Sequence, residues 1–186
     1  MVKRFYGIYV LALALAILLA LPATAQARVL DYEDVPGEEV RVLLLGSSSA
    51  SSFTVSVGSG EYYIASCDDP DDALYEVSSG SVTFYADGPN SYSVSSGNFS
   101  DSGGSPYLLV PESAEDYFLF NGSPYRGCFK AISSGVYYYA VNQIKVELYL
   151  YGVVGREIGY GYGSDAIMAQ AVAARMLDRI DVRVSL

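Results

Sequence analysis

The chain has 186 residues, a net charge of −10 and no His. The length favours one domain, and the negative charge opposes binding to nucleic acid, because affinity for the phosphate backbone comes mostly from Lys and Arg. Without His, the chain alone cannot form a Ser-His-Asp triad, a Cys-His dyad or a His-ligated metal site. We therefore expect any acid–base catalyst to be a carboxyl group first, with Tyr, Lys or Cys as weaker choices.

The first 27 residues have the layout of a secretory signal peptide. Lys3 and Arg4 precede an unbroken apolar run over residues 7–21, Pro22 ends the run, and Ala25-Gln26-Ala27 fits the cleavage pattern. We therefore expect an exported protein, with no membrane attachment after cleavage. An uncleaved N-terminal membrane anchor is the alternative, although the run is shorter than the roughly 20 residues of a membrane-spanning helix.

Residues 28–140 are predicted to be mainly β-structure. They contain 22 Ser and a series of short apolar segments, several of which alternate with polar residues and are separated by turn signals such as Gly58-Ser59-Gly60. This pattern predicts an antiparallel sheet or a barrel-like unit, and with the helices that follow it predicts an α+β fold. The predicted strands are Val40–Leu45, Phe53–Val57, Glu61–Ser66, Ser81–Ala86, Ser91–Val94, Tyr107–Val110, Tyr117–Phe120, Gly127–Ala131 and Val136–Val141.

The negative charge of the chain is concentrated in this β-rich portion. Residues 28–140 carry 4 basic and 16 acidic side chains, whereas residues 141–186 carry 5 of each. Asp68, Asp69, Asp71 and Asp72 flank Pro70 in one loop. A solvated acidic loop is the favoured interpretation, and a calcium site, which needs several converging oxygens, is the alternative. We assign no metal ligands and predict no cofactor.

Cys67 and Cys128 are the only cysteines. A disulfide between them is permitted in an exported protein. Two separate buried thiols are an equally good interpretation, because free Cys packs as a small hydrophobic residue.

Residues 141–186 are predicted to be mainly helical. Residues 146–154 are apolar at helical spacing, and Gly155 is expected to end this first helix. A second helix is predicted over residues 166–179, which are rich in Ala, with Ser164 as its N-cap and Asp165 in its first turn. The apolar contact positions are Val146, Tyr149, Leu150 and Val153 in the first helix and Ile167, Ala171, Ala174 and Leu177 in the second.

Glu157 lies between the two predicted helices, at the rim of an apolar region. Desolvation there would raise the pKa of its carboxyl group and keep it protonated near neutral pH, as a general acid requires. A surface Glu in an ordinary loop is the competing interpretation, because Glu is usually exposed.

Five sequence features occur in a distinctive order in the C-terminal third. They are Tyr125-Arg126-Gly127, Val141-Asn142, the segment YLYGVV at 149–154, Glu157, and the heptapeptide AQAVAAR at 169–175. In this order they resemble the SpoIID/LytB domain, the family of stage II sporulation protein D and the amidase enhancer LytB. The resemblance covers residues 125–179, and the heptapeptide matches the family pattern without a change.

The resemblance implies a SpoIID-like domain over residues 28–186. We expect it to be incomplete at its C-terminus, because the family's domain continues past the second helix. The implied activity is that of a lytic transglycosylase, with Glu157 as the catalytic residue. Glu157 would protonate the glycosidic oxygen between N-acetylmuramic acid and N-acetylglucosamine, and its carboxylate would then take a proton from the sugar's own 6-hydroxyl group. One carboxyl group suffices because the substrate supplies the nucleophile, unlike in ordinary glycosidases.

The resemblance also suggests residues that contact the substrate. Gln170 is expected to donate hydrogen bonds to an acetamido group, and Arg175 to hold a carbonyl group or the glutamate loop. Packing and capping within the helix are the alternative roles for these two residues. Tyr160 and Tyr162 are expected to stack on sugar rings, or alternatively to cover the core as loop aromatics.

The expected partners are peptidoglycan glycan strands and, as a second partner, a cell-wall amidase. Two other functions stay open from the sequence. One is a non-catalytic module that binds peptidoglycan or enhances an amidase, as in LytB, and the other is an inactive, truncated fragment.

Overall fold

The computed structural model describes residues 30–35, 37–48, 51–134, 137–157 and 163–181. This part of the chain contains strands and two helices, which confirms the predicted α+β class. The predicted signal peptide lies outside the described residues. Neither of the two helices is long and apolar enough to cross a membrane. The elements are β1 (Glu39–Ser48), β2 (Ser52–Ser59), β3 (Tyr62–Ser66), β4 (Tyr75–Val77), β5 (Ser81–Gly88), β6 (Ser91–Ser96), β7 (Phe99–Gly103), β8 (Tyr107–Pro111), β9 (Tyr117–Phe120), β10 (Ser123–Arg126), β11 (Cys128–Ser134), β12 (Tyr137–Lys145), α1 (Val146–Glu157) and α2 (Ser164–Asp181).

The strands form two open sheets of six strands each, so the barrel-like alternative is not adopted. The strand order is β1-β12-β11-β8-β3-β4 in the first sheet and β10-β9-β2-β5-β6-β7 in the second. Neighbouring strands pair antiparallel throughout both sheets.

The two sheets pack face to face through large aromatic side chains. The ring of Phe129, on β11 of the first sheet, lies 5.1 Å from that of Phe84 and 5.6 Å from each of Phe118 and Phe120 on the second sheet. All four side chains are buried. Edge-to-face and tilted pairs of this kind add to the free energy of area burial, so Phe129 is the central contact between the sheets.

A second apolar cluster covers the opposite face of the first sheet. Leu108 and Val110 of β8 belong to this cluster, whereas Leu109 between them belongs to the core between the sheets. This alternation is the period of two that a strand imposes on its side chains. Tyr32 from the N-terminal segment 30–35 and Leu148 from α1 complete the cluster, so both segments pack on the first sheet.

Lys145, the last residue of β12, ties the N-terminal segment to the first sheet. Its ammonium nitrogen lies 5.6 Å from the centre of the Tyr32 ring, 3.5 Å from Glu39 Oε1 and 3.8 Å from Glu33 Oε2. The Lys145 side chain is only 14% exposed, so these charges interact through less water than an ordinary surface pair does. The arrangement holds the end of β12 in place directly before α1.

The nine predicted strands are confirmed, with small differences at their ends, but β4, β7 and β10 were not predicted. The hairpin between β9 and β10 turns through Asn121 and Gly122, which have φ values of 52° and 78°. Two consecutive residues with positive φ are typical of a type I′ turn, which Asn-Gly favours. The Asn-Gly pair was therefore a sequence signal for β10.

The two cysteines are free thiols, so the disulfide interpretation is wrong. Strand pairing explains why, because Ala65, Leu108 and Lys130 lie side by side across β3, β8 and β11. Cys67 lies two residues beyond Ala65, and Cys128 lies two residues in the opposite direction from Lys130. At about 3.3 Å per residue and 4.8 Å per strand, their Cα atoms are about 16 Å apart, whereas a disulfide needs less than about 7 Å.

Replacing the central aromatic contact should strongly destabilise the fold. We expect Phe129→Ala to lower the free energy of unfolding by about 3–5 kcal/mol, because it leaves a cavity among three Phe rings. Chemical denaturation measures this loss. Ser134→Ala, at an exposed position of the same strand, is the control and should change stability by less than about 0.5 kcal/mol. Equal losses for the two variants would contradict this account of the core.

Stability should also fall at alkaline pH through Cys128. Burial, with a smaller contribution from the Glu39 carboxylate, raises the pKa of this thiol from 9.0 to about 12. The unfolded chain therefore releases the thiol proton at lower pH than the folded chain. The stabilisation is complete below about pH 9 and is lost between about pH 9 and 12, by about 1.4 kcal/mol per pH unit.

Denaturation curves at several pH values between 8 and 11 measure this slope. Cys128→Ala removes the titrating group, so its free energy of unfolding should fall less steeply with pH than that of the parent protein. Identical slopes in the two proteins would show that Cys128 is not the group responsible.

Candidate functional site

The first helix of the candidate site starts directly from the sheet. The amide nitrogen of Val146 donates a hydrogen bond to the carbonyl oxygen of Glu38, at 2.9 Å, and the preceding residue Lys145 pairs with Glu39. Glu147 lies in the first turn, where a negative charge is favourable for the helix dipole. The start of α1 is therefore fixed by the pairing of β1 with β12.

Helix α1 lies against the ends of β1 and β12 and against α2. Among the side chains of α1 that the structure describes, Leu148, Leu150 and Val154 are buried. Leu148 packs in the cluster on the first sheet, whereas Leu150 and Val154, one turn apart, belong to neither sheet cluster. Because the helix has neighbours on more than one side, it buries more than a single stripe. The predicted stripe is correct at Leu150, while its other members, Val146, Tyr149 and Val153, are half-buried.

The expectation that Gly155 ends the first helix is wrong, since α1 continues to Glu157. Gly costs about 1 kcal/mol relative to Ala inside a helix, which is small enough for the contacts of α1 to outweigh. Glu157 is therefore the last helical residue and not a loop residue. Its backbone is described, and its side chain lies outside the described part of the structure.

Helix α2 begins after Gly163. The carbonyl oxygen of Gly163 accepts hydrogen bonds from the amide nitrogens of Ala166, at 3.0 Å, and Ile167, at 3.3 Å. Gly163 therefore holds the N-cap position that the sequence assigned to Ser164, and Ser164 is the first helical residue. The helix runs to Asp181 and includes the predicted range.

Gln170 and Ala171 are the half-buried residues of the first half of α2, and the other residues from 164 to 173 are exposed. Ile167, a predicted contact position, is 36% exposed. Because α2 contacts α1, Gln170 and Ala171 mark the side of α2 that is turned toward the protein. Arg175 lies further along the same helix and its side chain is not described, while Tyr160 and Tyr162 fall outside the described residues. The substrate-binding roles predicted for Gln170, Arg175, Tyr160 and Tyr162 therefore stay predictions.

The Tyr-Arg-Gly motif has a structural role that its residues explain. Gly127 has a φ of +86°, and a Cβ atom there would lie 2.7 Å from the carbonyl oxygen of Gln143 and 2.8 Å from the Cβ atom of Ile144. The Tyr125 ring stacks on Phe118 at 5.8 Å. The motif therefore brings the start of β11 close against β12, the strand that leads into α1.

Asn142, in the Val-Asn motif, has no predicted role from the sequence alone. It is buried opposite Phe129, and its Oδ1 atom has no hydrogen-bond partner among the described residues. An unsatisfied buried amide oxygen is uncommon and costs free energy. The sequence signal that could have singled out Asn142 was a polar residue at a core position of an alternating strand.

The acidic loop is exposed at Asp68, Asp69, Asp71 and Asp72, as a solvated loop predicts. The Ser105 hydroxyl donates to Asp68 Oδ2 at 2.5 Å. Over the ranges that the structure covers, no three His, Cys, Asp or Glu side chains are grouped to hold a metal ion. The calcium alternative therefore gains no support.

These observations define an α+β protein in which two packed antiparallel sheets carry a pair of contacting helices. Residues 135–177 match the family model SpoIID, described as stage II sporulation protein, over less than a quarter of the chain. The matched segment contains β12, α1 and most of α2, which confirms the resemblance to the SpoIID/LytB family for this part. The match indicates a protein related to sporulation or the cell wall. Searches of curated proteins and of solved structures gave no match.

The close approach at Gly127 should make it more sensitive than another glycine with positive φ. Gly122 has a φ of +78° but open space around it, so Gly122→Ala costs only the backbone strain, about 1–3 kcal/mol. Gly127→Ala adds a steric collision with β12 to the same backbone strain. It should therefore lower the free energy of unfolding by about 1–3 kcal/mol more than Gly122→Ala does. Denaturation of both variants tests this, and equal losses would contradict the role of Gly127.

Proposed function

We propose that this chain is an exported cell-wall protein that cleaves peptidoglycan glycan strands as a lytic transglycosylase, with Glu157 as general acid and then general base. The observation that carries the proposal is the position of Glu157. It is the last residue of α1, inside the segment that matches SpoIID, and α1 packs against the helix that carries AQAVAAR.

The end of a helix is a suitable place for a carboxyl group that must start the reaction protonated. The last four carbonyl groups of a helix have no intrahelical partner and give this end a partial negative charge. The ionised, negatively charged form of the Glu157 side chain is therefore disfavoured at this end of the helix. A carboxyl group that keeps its proton near neutral pH meets the requirement for a general acid.

The proposed reaction conserves atoms without water. Glu157 donates its proton to the glycosidic oxygen as the bond between C1 of N-acetylmuramic acid and that oxygen breaks. The 6-hydroxyl oxygen of the same sugar then bonds to C1, and the Glu157 carboxylate accepts the hydroxyl proton. The products are a 1,6-anhydro end and a free 4-hydroxyl group, and Glu157 regains its starting form.

Four residues are proposed to bind the substrate around Glu157. Gln170 is on the side of α2 turned toward the protein, where its amide group suits an acetamido group of the sugar. We assign Arg175, on the same helix, to a carbonyl group of the substrate, and Tyr160 and Tyr162, in the connection between the helices, to stacking on sugar rings. A cell-wall amidase is the proposed protein partner.

The test is product analysis with glycan strands stripped of peptide stems. The protein secreted by an exporting bacterial host should release products with anhydro ends. Glu157→Gln keeps the size of the side chain but cannot donate the proton, so we expect it to lose at least about 100-fold in rate. Asp165→Asn, the same chemical change at an exposed position of α2, is the control and should keep full activity.

Two results would contradict the proposal. Equal rates for the parent protein and Glu157→Gln would remove Glu157 from the reaction. Binding of the parent protein to glycan without any anhydro product would support a non-catalytic wall-binding or amidase-enhancing module instead.

A further inference from the structure

The outer face of the second sheet carries an ordered array of hydroxyl groups. Strand pairing places Thr54, Thr83, Ser95 and Ser100 side by side across β2, β5, β6 and β7. A second row of Ser52, Tyr85, Ser93 and Ser102 runs beside the first across the same strands. All eight residues are exposed or half-buried. We call these two rows the hydroxyl face.

The array is regular because the sheet fixes its spacing. The strands that carry neighbouring members of a row are about 4.8 Å apart, and the two rows are about 6.6 Å apart, two residues along each strand. The side chains are also held locally, since the Oγ1 atoms of Thr54 and Thr83 share a hydrogen bond of 3.0 Å. The alternate residues of these strands, such as Val55 and Phe84, fill the core.

The hydroxyl face carries no charge, although the β-rich portion of the chain is strongly acidic. Residues 28–140 contain 16 acidic side chains. Two of these lie in β2, β5, β6 or β7, and neither belongs to the two rows. Asp87 lies where the register of β5 against β6 shifts, and Asp101 points to the other side, where its carboxylate accepts a hydrogen bond from the Tyr107 hydroxyl at 3.0 Å. A solvated sheet face and its edge strand usually carry charged side chains, which oppose aggregation. The lack of charge therefore calls for another explanation.

We propose that the hydroxyl face binds an extended, uncharged stretch of glycan chain, which lies across the strands. Hydroxyl groups both donate and accept hydrogen bonds, as the hydroxyl groups of sugars do, and one sugar unit of an extended chain spans about one strand spacing. The Tyr85 ring offers an apolar surface for a sugar ring. The neutral face is also where an acidic protein meets a wall polymer with the least charge repulsion.

The identification of this glycan as the sugar backbone of peptidoglycan rests on the proposed function, and that backbone is uncharged where its lactyl groups are amide-bonded to peptide stems. The hydroxyl face itself is separate from Glu157. Each hydrogen bond replaces one with water and contributes little alone. Affinity should therefore depend on several hydroxyl groups together, and it should depend little on salt because the contacts are neutral.

The experiment measures binding to immobilised chains of β-1,4-linked N-acetylglucosamine, an uncharged glycan with the same sugar linkage, because glycan strands stripped of peptide stems carry a free carboxylate on every N-acetylmuramic acid. It is done in a Glu157→Gln background so that the glycan is not cleaved. Thr83→Val with Ser95→Ala removes two central hydroxyl groups while keeping residues compatible with the sheet. We expect this pair to weaken binding by about tenfold or more. Ser78→Ala with Ser79→Ala, two exposed serines of a loop, is the matched control and should bind like the parent. Circular dichroism checks that each variant is folded.

A second pair keeps the test decisive if the first does not fold. Ser100→Ala with Ser102→Ala changes only the edge strand β7 and should also weaken binding. Unchanged binding in the folded variants, absence of binding by the parent, or a tenfold weakening by high salt would overturn the proposal. Loss of cleavage activity is scored separately: face variants that bind weakly support the proposal even if no protein releases anhydro products.

Discussion

The insertion of Phe129 between the two sheets is the contact on which the rest of the structure depends. It fixes which face of β11 is turned to the core, so Cys128 and Lys130 must point to the opposite face. The pairing of β11 with β12 then sets the point at which β12 ends and α1 begins. A slip of one residue would exchange the two faces of the strand, and the helix that ends in Glu157 would start from a different place.

Alternation of polar and apolar residues predicted strands such as β2 and β6 correctly because each has one buried face, whereas β8 is an apolar run that is buried on both faces. The strands that were missed lack this signal for physical reasons. β7 reads Phe-Ser-Asp-Ser-Gly and β10 contains Pro124, and both lie at a sheet edge, where one set of backbone groups needs no partner. Their two-residue turns, Gly97-Asn98 and Asn121-Gly122, were the better guide.

The helical pair was predictable in kind, and a segment match to SpoIID confirms the family resemblance there. The ends of the two helices and the identity of their buried residues were not predictable, because tertiary contacts decide them. The end of α1 passes Gly155, whose cost inside a helix is modest, and the helix buries Leu148 and Val154 because it has two neighbours. Ile167 is partly exposed for the opposite reason, since the first half of α2 has few contacts. Sequence periodicity gives the helix but not the number of its neighbours.

The position of β1 has a consequence for the order of events during synthesis. β1 lies at the edge of its sheet and pairs with β12 alone, with Glu39 opposite Lys145. The segment that contains Tyr32 is held by that same lysine. β1 cannot pair until about a hundred further residues have left the ribosome, and contacts so distant in sequence form slowly. The opening strand β1 therefore stays unpaired until the last strand, β12, has been synthesised.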